Sequence, residues 1–121
     1  MIENKLGEME LRFADMIWGL APVESGELVR RCAEAIDWKK STTYTMLRRL
    51  CERGLFENRG GTVVVQKTKD EYLSMQTEVF VNETFDGSLP RFLTAFASNH
   101  TLKADEIAVL QKMIDDYRKE K

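Results

Sequence analysis

Ser41-Thr42-Thr43-Tyr44-Thr45-Met46-Leu47-Arg48-Arg49-Leu50, followed by Gly54, Leu55-Phe56-Glu57-Asn58, Arg59-Gly60-Gly61-Thr62 and Val63-Val64-Val65-Gln66, reads as a helix running into a hairpin. Helical spacing from Ser41 to Arg53 sets Thr43, Met46, Leu47 and Leu50 on one face, and Ser41, Thr42, Thr45, Arg48 and Arg49 on the opposite one. Gly54 stands where a left-handed C-cap ends a helix. Gly60 and Gly61 are free to adopt the positive φ angles of a tight hairpin turn. A phosphate loop would need a Lys-Ser/Thr after the glycines and a helix opening there, and neither is present.

Upstream, Leu6, Met9, Phe13, Met16, Ile17 and Leu20 recur at three and four residues and predict a first helix. Pro22 ends it, because proline cannot donate to the helix ladder and turns Ala21 away from helical angles. Ser25 suits an N-cap for a second helix over about 26–36, with Leu28, Val29, Cys32, Ala33 and Ile36 on its apolar side. Asp37-Trp38-Lys39-Lys40 connects it to the third.

Downstream of Lys69 the helical period returns through Tyr72, Met75, Val79 and Phe80, and breaks near Asp86-Gly87. Ser88 can cap a short helix holding Leu89, Phe92, Leu93 and Phe96, with Pro90 tolerated in its first turn. A last helix over about 103–119 places Ile107, Leu110, Ile114 and Tyr117 on a narrow apolar seam.

Net charge is -2 over 121 residues, but its distribution is uneven. Residues 1–37 and 70–121 each sum to -4, whereas residues 38–69 carry Lys39, Lys40, Arg48, Arg49, Arg53, Arg59, Lys67 and Lys69 against Glu52 and Glu57, a local charge of +6. A cationic centre of this kind suits an anionic partner, most often nucleic acid; a solvated charged face is the plainer reading.

The expected architecture is mainly α with a small β-hairpin wing. Residues 1–69 form a winged helix-turn-helix DNA-binding domain and residues 70–121 a helical dimerisation domain. Lys39, Lys40, Ser41, Thr42, Tyr44, Thr45, Arg48, Arg49 and Arg59 are the expected DNA contacts. Hydroxyls and free N–H groups near a helix N-terminus bond phosphates or base edges, and an arginine can read guanine through two bonds. A tail of about 50 residues seldom buries enough area to fold alone. Tyr72, Val79, Phe80, Leu89, Phe92, Leu93, Phe96, Ile107, Leu110, Ile114 and Tyr117 are therefore expected to meet the same tail of a second chain.

The sequence resembles the penicillinase repressor family (BlaI/MecI/CopY) of small winged-helix bacterial repressors over nearly its whole length. The resemblance is carried by Glu10 to Trp18, by Trp38 with Ser41 to Leu50 and Gly54, by Phe80-Val81-Asn82 and Phe85-Asp86-Gly87-Ser88-Leu89, and by Leu102 to Ile107 with Leu110. It implies a homodimeric transcriptional repressor whose N-terminal domains bind a palindromic operator and whose C-terminal helices interlock. It sets Thr42 and Thr45 at DNA-contacting positions, and Arg49 on the DNA-facing side or as a brace of the fold. Members are commonly released by a sensor protease that cuts an Asn-Phe bond in the fifth helix; here that position is Ala95-Phe96, which counts against this partner. The copper-responsive branch carries a C-terminal cysteine cluster, and this tail has no cysteine. Thr62 stands where the family's wing often has a basic residue, leaving backbone contact by the wing to Arg59.

Other classes fit poorly. Two cysteines, Cys32 and Cys51, neither build a disulfide framework nor pair with the single His100 in a zinc spacing; both are expected as buried structural thiols. Asp105-Glu106 and Asp115-Asp116 read as solvated acidic faces, so no metal or other cofactor is expected. Trp18 and Trp38 read as packing residues, and His100 as a surface residue in a loop. No nucleophile and base cluster together, so no enzyme is expected. No apolar run approaches the roughly 20 residues of a membrane span. The N-terminus lacks a signal-peptide pattern, and the expected location is the cytoplasm. The alternative function is a winged-helix protein-interaction module without sequence-specific DNA binding.

Overall fold

A computed structural model of the chain describes residues 5–120. Met1 to Asn4, part of the stretch without a signal-peptide pattern, and Lys121 lie outside the described residues. The elements run α1 (Glu8–Leu20), β1 (Val23–Glu24), α2 (Ser25–Ile36), α3 (Lys40–Glu52), β2 (Phe56–Arg59), β3 (Thr62–Val65), α4 (Lys69–Phe85), α5 (Leu89–Asn99) and α6 (Ala104–Lys119). The chain divides into two compact units, Met1–Phe80 and Val81–Lys121, so α4 contributes to both. The expected border at 69/70 falls at the first residue of this helix.

Three helices and a three-stranded antiparallel sheet build the first unit. One stripe of each helix is buried: Phe13, Ala14 and Ile17 from α1, Leu28 and Cys32 from α2, and Thr43, Leu47 and Leu50 from α3. Val23, Leu55, Phe56 and Val63 close the core from the sheet side. Burying each large aliphatic or aromatic side chain contributes about 1.5–3 kcal/mol, which is what orders a domain of this size. Trp38 packs on Phe13 with ring centroids 5.1 Å apart, and Trp18 on Phe56 at 5.5 Å, so both tryptophans serve packing.

The sheet order is β1-β3-β2, with Val23 opposite Val63, and Arg59 opposite Thr62. Gly60 and Gly61 form the two-residue connection at φ +58° and +98°, angles that side-chain-bearing residues rarely adopt. β1 was not expected: a two-residue strand shows no alternation, and it owes its existence to pairing with β3. It also moves the N-cap of α2 from Ser25 to Glu24, because the Ser25 N–H donates to the Gly61 carbonyl at 2.8 Å instead of opening the helix from outside. Gly54 has φ +83° and ends α3 as expected.

Tyr72 corrects the expected dimerisation set. Its ring is only 6% exposed, its centroid lies 5.9 Å from that of Trp18, and its hydroxyl accepts the Leu6 N–H at 3.0 Å. A side chain enclosed in this way has no surface left for a second chain. Val79 and Phe80 are half-buried at the end of the same unit.

The second unit is built differently. Ser88 accepts the Arg91 N–H at 3.2 Å and caps α5, with proline in the first turn, as its sequence predicts. Phe85, Phe92 and Phe96 form a ladder of rings at 5.7 and 6.4 Å, and His100 stacks on Phe96 at 4.5 Å with planes 6° apart. Phe92, Leu93, Phe96, Leu102, Val109 and Leu110 line a groove of about 450 Å³, with Asp105 and Glu106 beside them. No described residue of this unit reaches full burial. Leu89, Phe96, Ile107, Val109, Met113, Ile114 and Tyr117 are all exposed.

Candidate nucleic-acid interface

α3 positions most of the expected contact residues, because its buried stripe dictates what its other side presents. Successive residues turn about 100°, so anchoring Thr43, Leu47 and Leu50 in the core turns Ser41, Thr42, Thr45, Arg48 and Arg49 outward. Thr43 is held doubly, being buried and donating its hydroxyl to the Lys39 carbonyl at 3.2 Å. Ser41, Thr42, Thr45 and Arg49 gather around a shallow hollow of about 290 Å³, with Met46 completing it. Met46 was expected on the buried face; it is only half-buried, and its sulfur takes the Arg49 guanidinium at 3.7 Å. Its position, four residues after Thr42 and three before Arg49, is the signal that places it at this edge.

Arg48 and Tyr44 face the other way around the helix. They line a groove of about 660 Å³ between α3 and the sheet, together with Leu47, Cys51, Gly54, Phe56, Glu57, Asn58 and Gln66. Tyr44 donates its hydroxyl to Ser25 Oγ at 3.1 Å, so the atom expected at a DNA contact already has a partner inside the fold. Cys51 is half-buried and Cys32 fully buried, and desolvation pushes both thiols up, away from the reactive thiolate. The expected full burial of Cys51 is thus corrected: it borders an open groove.

The eight cations of the central segment do not share one face. Arg53 pairs with Glu10 of α1 at 3.8 Å, and Lys69 with Asp15 of α1 at 2.8 Å; both brace the first unit. The Lys67 ammonium reaches Met75 Sδ at 3.3 Å. Arg48 stands 4.0 Å from Glu52, and Arg59 is paired with Glu57, which also accepts from Gln66 at 2.7 Å. Lys39, Lys40 and Arg49 are exposed and have no ion-pair partner among the described residues. The uncompensated charge therefore sits at the start of α3 and beside its hydroxyl-lined hollow, while the wing's arginine is partly neutralised. Backbone N–H groups at a helix N-terminus and the helix dipole add attraction for phosphate there.

A helix-turn-helix formed by α2 and α3, backed by α1 and followed by a hairpin, defines the winged-helix class. The family model described as penicillinase repressor matches residues 6–116. The chain is also 24% identical to a penicillinase repressor of Bacillus licheniformis, over 97% of this chain and 94% of that protein. The chain belongs to the penicillinase repressor family. That places it among DNA-binding transcriptional repressors, which are regulators and not enzymes. Among the described residues no helix is long and apolar enough to cross a membrane, and no cluster of three or more histidine, cysteine or acidic side chains could hold a metal ion.

Proposed function

We propose that the chain represses transcription as a homodimer, each protomer laying α3 in the major groove of one half of a palindromic operator. The carrying observation is the arrangement of Ser41, Thr42, Thr45 and Arg49 around one hollow, with exposed Lys39 and Lys40 at the helix start. In this reading Ser41, Thr42, Lys39 and Lys40 hold phosphates, Thr45 and Arg49 reach base edges, and Arg48 and Arg59 approach the flanking backbone. The domain division follows: residues 1–69 carry DNA binding and residues 70–121 carry dimerisation, with α4 joining them. The exposed Leu89, Leu93, Phe96, Ile107, Ile114 and Tyr117, with half-buried Phe92 and Leu110, supply the surface between protomers. The targets would be β-lactamase or other resistance and stress genes. Ala95-Phe96 replaces the family's Asn-Phe bond, so cleavage by a sensor protease forms no part of the reading.

Selection of duplexes from a random pool by the full chain tests this, with affinity for the winners followed across salt. The expected result is an inverted repeat with half-sites separated by about 34–36 Å or a multiple, and affinity falling steeply with salt as several phosphate contacts per dimer are lost. Absence of enrichment, with weak binding throughout, would overturn the reading and leave α3 as a protein-docking face.

A further inference from the structure

We propose that Tyr44 is a positioning residue, whose hydrogen bond to Ser25 locks α3 to the turn of the wing so that the two engage DNA as one body. The inference rests on the repressor reading for its consequence but on the fold for its geometry. Ser25 stands at a junction: its N–H donates to the carbonyl of Gly61 in the wing turn at 2.8 Å, and its Oγ accepts the Tyr44 hydroxyl at 3.1 Å. One residue at the start of α2 therefore connects α3 and the hairpin turn through two hydrogen bonds. The connection stands beside the open groove of about 660 Å³ that Tyr44 lines along α3 and β2, while Leu47, Leu50, Phe56 and Val63 join the two elements in the core.

The sheet cannot do this work by itself. β1 is only two residues long, and its pairing with β3 ends at Glu24 opposite Thr62, immediately before the glycine turn. Gly60 and Gly61 carry no side chains that could pack against α3, and nothing lies within 4 Å of where a Cβ on either would sit. With the Tyr44 hydroxyl removed, Ser25 loses its tie to α3, its N–H bond to the wing turn opens more often, and the hairpin is joined to α3 only through the buried core. Arg59, adjoining the turn, would then approach the phosphate backbone from a more variable position relative to Thr45 and Arg49.

The test compares the full-length wild type with Tyr44→Phe, Ser25→Ala and the double variant, by operator affinity and by amide hydrogen exchange without DNA. Phenylalanine keeps the ring and removes only the donor. The expected result is a loss of affinity of about fivefold for each single variant, the size of one hydrogen bond, and no further loss in the double variant. Thermal midpoints should change little, while exchange quickens at the Ser25 amide in Tyr44→Phe. If Tyr44→Phe weakens binding and Ser25→Ala does not, or if the two losses multiply, the hydroxyl touches DNA directly and the proposal falls. Should the wild type bind no duplex selectively, the repressor reading fails, and the exchange result decides the coupling alone. Unchanged exchange at Ser25 then overturns it, and quickened exchange supports it.

Discussion

Trp18 donates its indole N–H to the main-chain carbonyl of Lys67 at 3.0 Å, tying α1 to the chain where it leaves the wing and enters α4. The same ring packs on Phe56 of β2 and on Tyr72 of α4, so one side chain joins the sheet and two helices. Trp18→Phe keeps most of the apolar contact but leaves the Lys67 carbonyl without this donor in a half-buried place. The expected cost is about 1–2 kcal/mol in a urea melt, with DNA affinity unchanged under conditions where the variant is folded.

Arg49 and Arg53 lie one helical turn apart and have opposite surroundings. Arg49 borders the hollow with Thr42 and Thr45, whereas Arg53 pairs with Glu10 of α1. Arg49→Ala should weaken duplex binding by about 1–3 kcal/mol if it reads a base, with little change in melting temperature. Arg53→Ala should do the reverse, leaving affinity intact and removing at most about 1 kcal/mol of stability from a partly exposed ion pair. Affinity and thermal midpoint measured on both variants check the assignment, and a large stability loss in Arg49→Ala would make that residue a brace of the fold.

Acid should weaken the first unit through two particular carboxylates. Hydrogen bonds from Arg30 and Arg31 hold Glu27 below the ordinary carboxylate value. Glu71 is held low by the Thr68 N–H, within a box where Thr68 Oγ1 in turn accepts the Glu71 N–H at 3.1 Å at the start of α4. In both, the folded pKa lies below the unfolded one of about 4.3. Their contribution is therefore complete above that value and is lost as pH falls through the folded pKa. Urea midpoints measured from neutrality down to about pH 3 should fall in this window, and Glu71→Gln should flatten part of the fall. An unchanged pH profile in Glu71→Gln would separate the box from acid sensitivity.

Much of this fold was legible in the sequence because its signals are local. The apolar period of α1, the glycine pair of the turn, Gly54 at the end of α3 and Ser88 before α5 each act within a few residues. What escaped was set by distant partners. β1 exists only through Val63 and Thr62, forty residues downstream in the chain, and Tyr72 reads as part of a tail until Trp18 and Leu6 are seen around it. The outward residues of α3 follow from periodicity, whereas the engagement of Tyr44 by Ser25, of Arg59 by Glu57, and of Arg53 and Lys69 by α1 requires the packed structure.

The second unit gives the last prediction. Its sequence shows a narrow seam of Ile107, Leu110, Ile114 and Tyr117, but Val109 and Met113 widen the apolar arc of α6 to roughly 160° at about 100° per residue. Val109 and Leu110 line the groove beside α5, while Ile114 remains 53% exposed and Tyr117 61%. All the buried hydrophobic residues described lie at or before Tyr72, so a charge placed on α6 should not disturb the core of the first unit. Ile114→Glu should then lower the self-association seen by sedimentation equilibrium while leaving the thermal signature of the first unit in place. Operator affinity should fall with it, because two half-site contacts joined in one dimer gain an effective concentration that separate protomers lack. A monomeric wild type would overturn the dimer itself, and a variant that associates as strongly would place its contact elsewhere than this face of α6.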